Sequence, residues 1–174
     1  MELNDKSVPI PIVTQALVPE WTIEAGREEW LPSVAQLSWE CHGGKLESHQ
    51  ESTRETFDDC PVSGQLFVAR AETQILGFAW ISRLSPRDLP RGWYLSGIVV
   101  APASRRQGVG LALTQERLRW LGERTRTAFY ITSSSNQASI ELHEHVGFQE
   151  IECDIQADGY DFTGGVGIIF ARDL

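Results

Sequence analysis

Residues 97–113 read GIVVAPASRRQGVGLAL, an apolar strand pattern that changes within a few residues into a helix pattern. Two arginines, Arg105 and Arg106, and two glycines, Gly108 and Gly110, lie at the junction. Glycine lets the backbone turn sharply and approach a ligand, and the first N–H groups of a helix lack partners within it. Together with the forked donors of arginine, this junction fits a pyrophosphate. The alternative is an ordinary turn with exposed arginines.

Two other phosphate-binding patterns do not match this stretch. A P-loop requires GxxxxGK followed by Ser or Thr, which the chain lacks. A dinucleotide fingerprint requires Gly or Ala three positions after its second glycine, where this chain has Leu113. The junction therefore belongs to neither class.

The flanking patterns predict one α/β domain over residues 1–174 with a mixed sheet. On the helix that follows the junction, Val109, Leu113 and Leu121 share an apolar face, and we expect the charges to lie elsewhere. PVSG at 61–64 predicts a turn, and residues 157–167 predict a mobile lid or a plain hairpin loop. Strands are predicted at 8–18, 64–72, 74–84, 93–100, 127–134, 148–155 and 165–174, and helices at 28–40, 46–59, 108–124 and 138–147.

Composition narrows the class of protein. The net charge is −9, and acids outnumber bases twelve to four in residues 1–60, which disfavours nucleic acid as a partner. The chain has no long apolar run and no secretory signal, and its three cysteines are widely spaced, so we expect a cytoplasmic protein without a disulfide framework. Thirteen arginines against two lysines suggest a bacterial source. Cys41, His42, His49 and Cys60 lack zinc spacing, which predicts no metal.

A second motif extends the pattern of the junction. The first motif, Arg105-x-x-Gly108-x-Gly110 after Val100-Ala101-Pro102, matches R/Q-x-x-G-x-G/A after a strand. Residues 136–148, NQASIELHEHVGF, resemble N-x-x-A-x-x-L-Y-x-x-x-G-F, with Asn136, Leu142, Gly147 and Phe148 in place. With an intervening helix and strand between the motifs, the chain resembles the GNAT superfamily of N-acetyltransferases.

The resemblance implies a fold and a donor site. The fold is a mixed, mostly antiparallel sheet of six to seven strands, flanked by about four helices, with two central strands splayed apart. The donor is acetyl-CoA, another acyl-CoA or a phosphopantetheinyl thioester. Its pyrophosphate lies on the backbone of about Arg106 to Leu111, its pantetheine arm pairs with Ile98 and Val100, and Asn136 contacts the thioester arm. The cofactor-binding set is then Ile98, Val99, Val100, Arg105, Arg106, Gln107, Gly108, Val109, Gly110, Leu111 and Asn136.

Two positions depart from the family pattern. His143 replaces the tyrosine that usually donates a proton to the departing thiolate, and Ser139 replaces an alanine. Imidazole can supply a proton near neutral pH, so His143 is a candidate catalytic residue with Asn136. The alternative is that His143 fills the place of the tyrosine on a buried helix face. Strand 93–100 lacks the glutamate base of many members, which leaves His42, Glu47, His49 or a water molecule.

The acceptor pocket in the family lies between the first two helices, the strand before the first motif and the last strands. Residues 28–60 carry much of the acidic excess, which favours a cationic acceptor. Aromatic and polar side chains are expected to line this pocket: Trp39, His42, Trp80, Trp93, Tyr94 and Ser96.

These features predict an acyl-CoA-dependent N-acyltransferase that acts on the amine of a small molecule, as a monomer or a homodimer. One alternative is an acyltransferase that takes its acyl group from a carrier protein. Another is a non-catalytic acyl-CoA-binding domain, and a protein acetyltransferase is a further possibility.

Overall fold

The computed structural model describes residues 21–155, 162 and 164–174. Within them, a seven-stranded sheet is flanked by four α-helices, and short 3-10 turns precede α1 and α3. The strands are β1 (Thr22–Ala25), β2 (Gly64–Ala71), β3 (Gln74–Leu84), β4 (Gly92–Val100), β5 (Thr127–Ser133), β6 (Gln149–Ile155) and β7 (Gly167–Asp173). The helices are α1 (Leu31–His42), α2 (Leu46–Ser63), α3 (Val109–Gly122) and α4 (Gln137–His145).

The sheet order is β1-β2-β3-β4-β5-β7-β6. Every neighbouring pair is antiparallel except β4 and β5, which run parallel because α3 connects them as a crossover helix. The sheet is therefore two antiparallel blocks joined at β4 and β5. This mixed, mostly antiparallel sheet of seven strands with four helices confirms the predicted fold class.

Two hydrophobic clusters cover opposite faces of the sheet. On one face, Leu113 and Leu121 of α3 pack against β2 to β5. On the other face, Val34 and Leu37 of α1 pack against Val68 and other side chains of β2 and β3. Because side chains alternate along a strand, β2, β3 and β4 each supply apolar side chains to both clusters. The helices thus fix β4 from both sides.

Several local predictions differ from the structure. Residues 61–63 are not a turn, because α2 continues to Ser63 and β2 begins at Gly64. Gly64 is confined there, since a Cβ would lie 2.3 Å from the carbonyl oxygen of Ile81. α1 begins at Leu31, later than the predicted start at 28, and Pro32 lies in its first turn, where a missing N–H costs no helical hydrogen bond. Strand β1 was not predicted, while the predicted strand at 8–18 and most of the predicted lid at 157–167 lie outside the described residues.

Candidate functional site

The two central strands separate shortly after they meet. Strands β4 and β5 pair at Trp93 with Ala128 and at Tyr94 with Phe129. Beyond these pairs β4 runs on to Val100 and β5 to Ser133, and the strands diverge. The opening is a cleft of about 900 Å³, lined by both strands, the N-terminus of α3 and one face of α4.

The loop before α3 lies at one end of this cleft. Arg106 has φ +61° and Gly108 has φ +84°, so the backbone passes twice through the left-handed region before α3 begins. Gly108 is the N-cap, and no side chain caps the helix there. A Cβ on Gly108 would meet nothing within 4 Å. The first N–H groups of α3 therefore lie at an open surface, at the positive end of the helix dipole.

Arg105 lies across the end of β4. Its Nε donates to the carbonyl oxygen of Val100 at 3.1 Å, and its Nη2 lies 3.9 Å from Sγ of Cys41 on α1. Gln107 donates from Nε2 to the carbonyl oxygen of Ala103 at 2.8 Å and holds the turn closed on itself. A guanidinium at this point brings positive charge to the end of the cleft where α3 begins.

Strand β4 carries a bulge where it faces the cleft. Ala79 pairs with Ile98 and Trp80 pairs with Ser96, so Gly97 is an extra residue with φ +22°. A bulge turns main-chain groups away from the ladder and bends the strand. Gly97 and Ser96 both line the cleft, and the bulge therefore exposes main-chain polar groups in its wall.

A fully buried arginine supports this bulge from beneath. Arg117 of α3 donates from Nη1 to the carbonyl oxygens of Trp80 at 3.3 Å and Ser96 at 3.2 Å, and from Nη2 to Oγ1 of Thr114 at 3.0 Å. Burial lowers the pKa of its guanidinium to about 9. The sequence analysis predicted that the charges of α3 lie away from its apolar face. Arg117 is an exception to this prediction. The spacing Leu113, Arg117, Leu121 places Arg117 on the apolar face, and this signal was available in the sequence.

His143 of α4 is one of the residues that line the cleft. Its side chain is fully buried, and its ring stacks on Tyr130 with centroids 3.7 Å apart. Nδ1 lies 2.8 Å from the carbonyl oxygen of Ser139, so this nitrogen carries the proton and donates it to the carbonyl. Burial, and then the charge of Arg117, lower the pKa of the imidazole to about 4.

The second nitrogen of His143 decides what the ring can do. Within the described part of the chain, Nε2 has no hydrogen-bond partner, and in this tautomer it carries a lone pair. The burial of His143 agrees with the alternative that its ring fills the place of the tyrosine on a buried helix face. In addition, a neutral ring in this tautomer cannot donate a proton from Nε2. Its catalytic role stays a prediction.

Tyr130 of β5 links the two departures from the motif. Its hydroxyl donates to Oγ of Ser139 at 2.5 Å, on the same residue whose carbonyl accepts from His143. Burial raises the pKa of the phenol. The side chains of Tyr130 and Ser139 both line the cleft. Asn136 also lines the cleft, and its side-chain oxygen caps α4 by accepting from the N–H of Ser139.

The predicted acceptor residues divide into three groups. His42, Tyr94 and Ser96 line the cleft, although Tyr94 is itself buried and donates its hydroxyl to the carbonyl oxygen of Pro90. Trp80 and Trp93 lie in the core instead: Trp80 packs under α1, and Trp93 meets Trp120 edge to face at 5.4 Å. Their alternation along β3 and β4 sends them to faces that the helices cover. Trp39 is partly exposed and donates from its indole to the carbonyl oxygen of Gly44.

The three candidate side chains for the general base differ in their positions and contacts. His42 lines the cleft, and its Nδ1 lies 3.0 Å from the carbonyl oxygen of Ser38, so Nε2 carries the lone pair. Both nitrogens of His49 are engaged, by Oγ of Ser38 at 2.9 Å and by the carbonyl oxygen of Gly43 at 2.8 Å. Glu47 lies in the first turn of α2.

The predicted donor residues lie mostly around the cleft. It is lined by Ile98, Val99, Val100, Arg105, Arg106, Gly108, Gly110, Leu111 and Asn136, while Val109 is buried in the core and Gln107 faces its own turn. Sequence reasoning missed the bulge at Gly97, although a glycine inside a strand pattern indicates one. It also missed Tyr130, whose role depends on contacts between strands and helices.

Two general findings concern the described residues. Across 21–155, 162 and 164–174, no set of three or more His, Cys, Asp or Glu side chains is grouped to hold a metal ion. None of the helices in those ranges is long and apolar enough to cross a membrane.

Comparisons with known proteins agree with this geometry. Residues 31–148 match the model of the Acetyltransferase (GNAT) family. An aminoglycoside N(6')-acetyltransferase type 1 from Klebsiella aerogenes is 31% identical over 132 residues, which cover 71% of this chain and 87% of that protein.

Solved structures show the same fold. A GCN5-related N-acetyltransferase from Kribbella flavida superimposes with a TM-score of 0.70 at 24% identity, over 89% of this chain and 98% of that one. A ribosomal-protein acetyltransferase in complex with coenzyme A gives a TM-score of 0.70 at 15% identity, over 91% and 97% of the two chains. The family match spans both sequence motifs and the cleft between them, and the chain therefore belongs to the GNAT family of acetyltransferases.

Proposed function

We propose that this N-acetyltransferase moves the acetyl group of acetyl-CoA to an amine of a cationic small molecule of the aminoglycoside kind. The observation that carries the proposal is the cleft between β4 and β5, which ends at the open N-terminus of α3. A thioester carrier with a diphosphate at one end and an extended arm matches this shape. The 31% identity to an aminoglycoside N(6')-acetyltransferase supports the class of acceptor.

The donor would bind first through its diphosphate. The backbone N–H groups from Arg106 to Leu111 would hold the phosphates, because the start of α3 has no side-chain cap and the space before Gly108 is open. Arg105 would exchange its hydrogen bond to the Val100 carbonyl for one to a phosphate oxygen, which charge assistance makes stronger.

The pantetheine arm would follow the opened edge of β4. Past Tyr94 this edge faces the cleft, and the backbone of Ile98 and Val100 would pair with the arm as a neighbouring strand does. Asn136 would contact the arm from α4. The thioester carbonyl would then lie near the bulge at Gly97, where main-chain polar groups face the cleft.

The chemistry would be direct attack. The lone pair of the acceptor amine adds to the thioester carbonyl, a C–N bond forms, the C–S bond breaks, and the electron pair leaves on sulfur. Of the three candidate bases, His42 fits best, because it lines the cleft and its Nε2 is the unprotonated nitrogen. It would take the proton that the amine loses. The buried Arg117 would hold the bulge in place throughout.

The charge of the chain favours a cationic acceptor. The net charge is −9, and α2 carries five acids against one arginine. The two arginines that line the cleft near the loop, Arg105 and Arg106, would bind the donor instead. An acidic protein raises the concentration of a polyamine around it and speeds its binding.

The test separates donor from acceptor. Calorimetry should show that acetyl-CoA binds, and a thiol assay should show release of free CoA when an aminoglycoside is added. Parallel reactions should use peptides with free N-termini as acceptors and acyl-carrier proteins as donors. Transfer only to peptides would reject the small-molecule acceptor, transfer only from a carrier protein would reject CoA as the donor, and binding of acetyl-CoA without turnover on any amine would indicate a non-catalytic domain.

A further inference from the structure

The two departures of α4 from the family motif meet at one place. Ser139 and His143 are one helical turn apart, and both contact Tyr130 of β5. The Tyr130 hydroxyl donates to Oγ of Ser139 at 2.5 Å, and the His143 ring lies flat on the Tyr130 ring with an interplanar angle of 7°. An alanine at 139 would leave the buried phenol without this partner. The three residues therefore form one arrangement.

This arrangement opens onto the cleft through its hydroxyl groups. Tyr130 is 5% exposed and Ser139 is half-buried, and both line the cleft. Thr132, two residues on along the same face of β5, also lines the cleft. The hydroxyls thus lie at the wall of the cleft beside His143, which also lines it although its side chain is fully buried.

Neither ring nitrogen of His143 is a ready proton donor. Nδ1–H is committed to the Ser139 carbonyl at 2.8 Å, and Nε2 carries a lone pair. Protonation of the ring would place a second cation beside Arg117 in the core, which the low dielectric opposes. A hydroxyl does not meet this obstacle, because the phenol of Tyr130 is neutral when it carries its proton.

We propose that the Tyr130–Ser139 hydroxyl pair, and not residue 143, supplies the proton to the departing thiolate. The proposal rests on the proposed function and assigns its proton donor. As the C–S bond breaks, the Ser139 hydroxyl gives its proton to sulfur and takes the proton of Tyr130. The products are the free thiol, the N-acyl amine and a phenolate, which regains its proton from water through the same path.

A buried positive charge stabilises the transient phenolate. Burial raises the pKa of the Tyr130 phenol, and the charge of Arg117, a fully buried cation, acts in the opposite direction and favours the ionised form. His143 provides a flat neutral ring that keeps Tyr130 in position. On this reading His143 is a positioning residue, and an aromatic ring of similar size can replace it.

The experiment compares leaving groups. Tyr130→Phe and Ser139→Ala are assayed with acetyl-CoA and with its selenium analogue, whose selenol is a much stronger acid than a thiol. Because a better leaving group needs less help from an acid, we expect a fall in kcat of about 10- to 100-fold with the thioester and a much smaller fall with the selenoester. Calorimetric affinity for CoA should stay within about twofold of the wild type.

Thr127→Val is the matched control, because it removes a hydroxyl from the same strand outside the cleft. His143→Phe, which removes the imidazole and keeps an aromatic ring next to Tyr130, should respond to the change of leaving group as the wild type does. Equal losses with both leaving groups would assign Tyr130 and Ser139 a structural role and overturn the proposal, as would unchanged activity of Tyr130→Phe or a leaving-group effect confined to His143→Phe. A wild-type protein that turns over neither donor would instead overturn the proposed function.

Discussion

The buried imidazole of His143 should make the protein sensitive to mild acid. In the folded chain its pKa is lowered from the ordinary value of 6.5 to about 4, because the ring is fully buried next to Arg117. Between these two values the unfolded chain binds the proton and the folded chain does not. The free energy of unfolding therefore falls as the pH falls through this window.

The magnitude follows from the size of the shift. Each pKa unit corresponds to about 1.4 kcal/mol, so the full contribution is about 3 kcal/mol, of which about 2 kcal/mol is lost between pH 7 and pH 5. Carboxylates also titrate in acid, and a comparison with a variant is needed to isolate the imidazole. His143→Phe keeps the stacking on Tyr130 and removes the titrating group.

Urea unfolding at pH 7 and pH 5 measures the difference directly. The wild type should lose about 2 kcal/mol more than His143→Phe between these conditions. His145→Gln is the matched control, because His145 is an exposed histidine on the same helix, and it should behave like the wild type. Parallel pH dependences of the wild type and His143→Phe, or an NMR titration of His143 with a midpoint near that of an exposed histidine, would refute the reasoning.

Further predictions concern packing and the donor loop. Gly64→Ala should destabilise the fold by about 2 kcal/mol, because its Cβ would lie 2.3 Å from a main-chain oxygen, whereas Gly122→Ala, with nothing within 4 Å, should stabilise it slightly in urea unfolding. Arg106→Ala should weaken acetyl-CoA binding by roughly fivefold at low salt and less at high salt in calorimetry; no salt dependence would exclude a phosphate contact. Arg117→Met should cost about 1–3 kcal/mol and lower kcat, because it leaves two carbonyls of the bulge unpaired, while the exposed Arg119→Met should change neither quantity.

Local signals in the sequence predicted most of the elements. The strand before Pro102, the glycines at 108 and 110 and the apolar period of α3 are properties of neighbouring residues, and the structure places a strand, a turn and a helix there. The helices at 28–40 and 46–59 and the hairpin of β2 and β3 were also recognisable. The end of α2 was predicted too early, because the sequence Pro-Val-Ser-Gly is typical of a turn. Only the structure shows that Gly64 lies against the main chain of Ile81, where a side chain would not fit.

The sequence by itself determined the family, the order of the elements from α1 to β7 and the glycine-containing turn before α3, since each depends on short-range periodicity and on motifs of fixed spacing. Only the tertiary structure decided what the side chains around the cleft do. Trp80 and Trp93 went to the core, Arg117 was buried beneath the bulge, and His143 was covered by Tyr130. These outcomes depend on which faces of distant strands and helices meet, and burial and charge at those contacts set the protonation of each group.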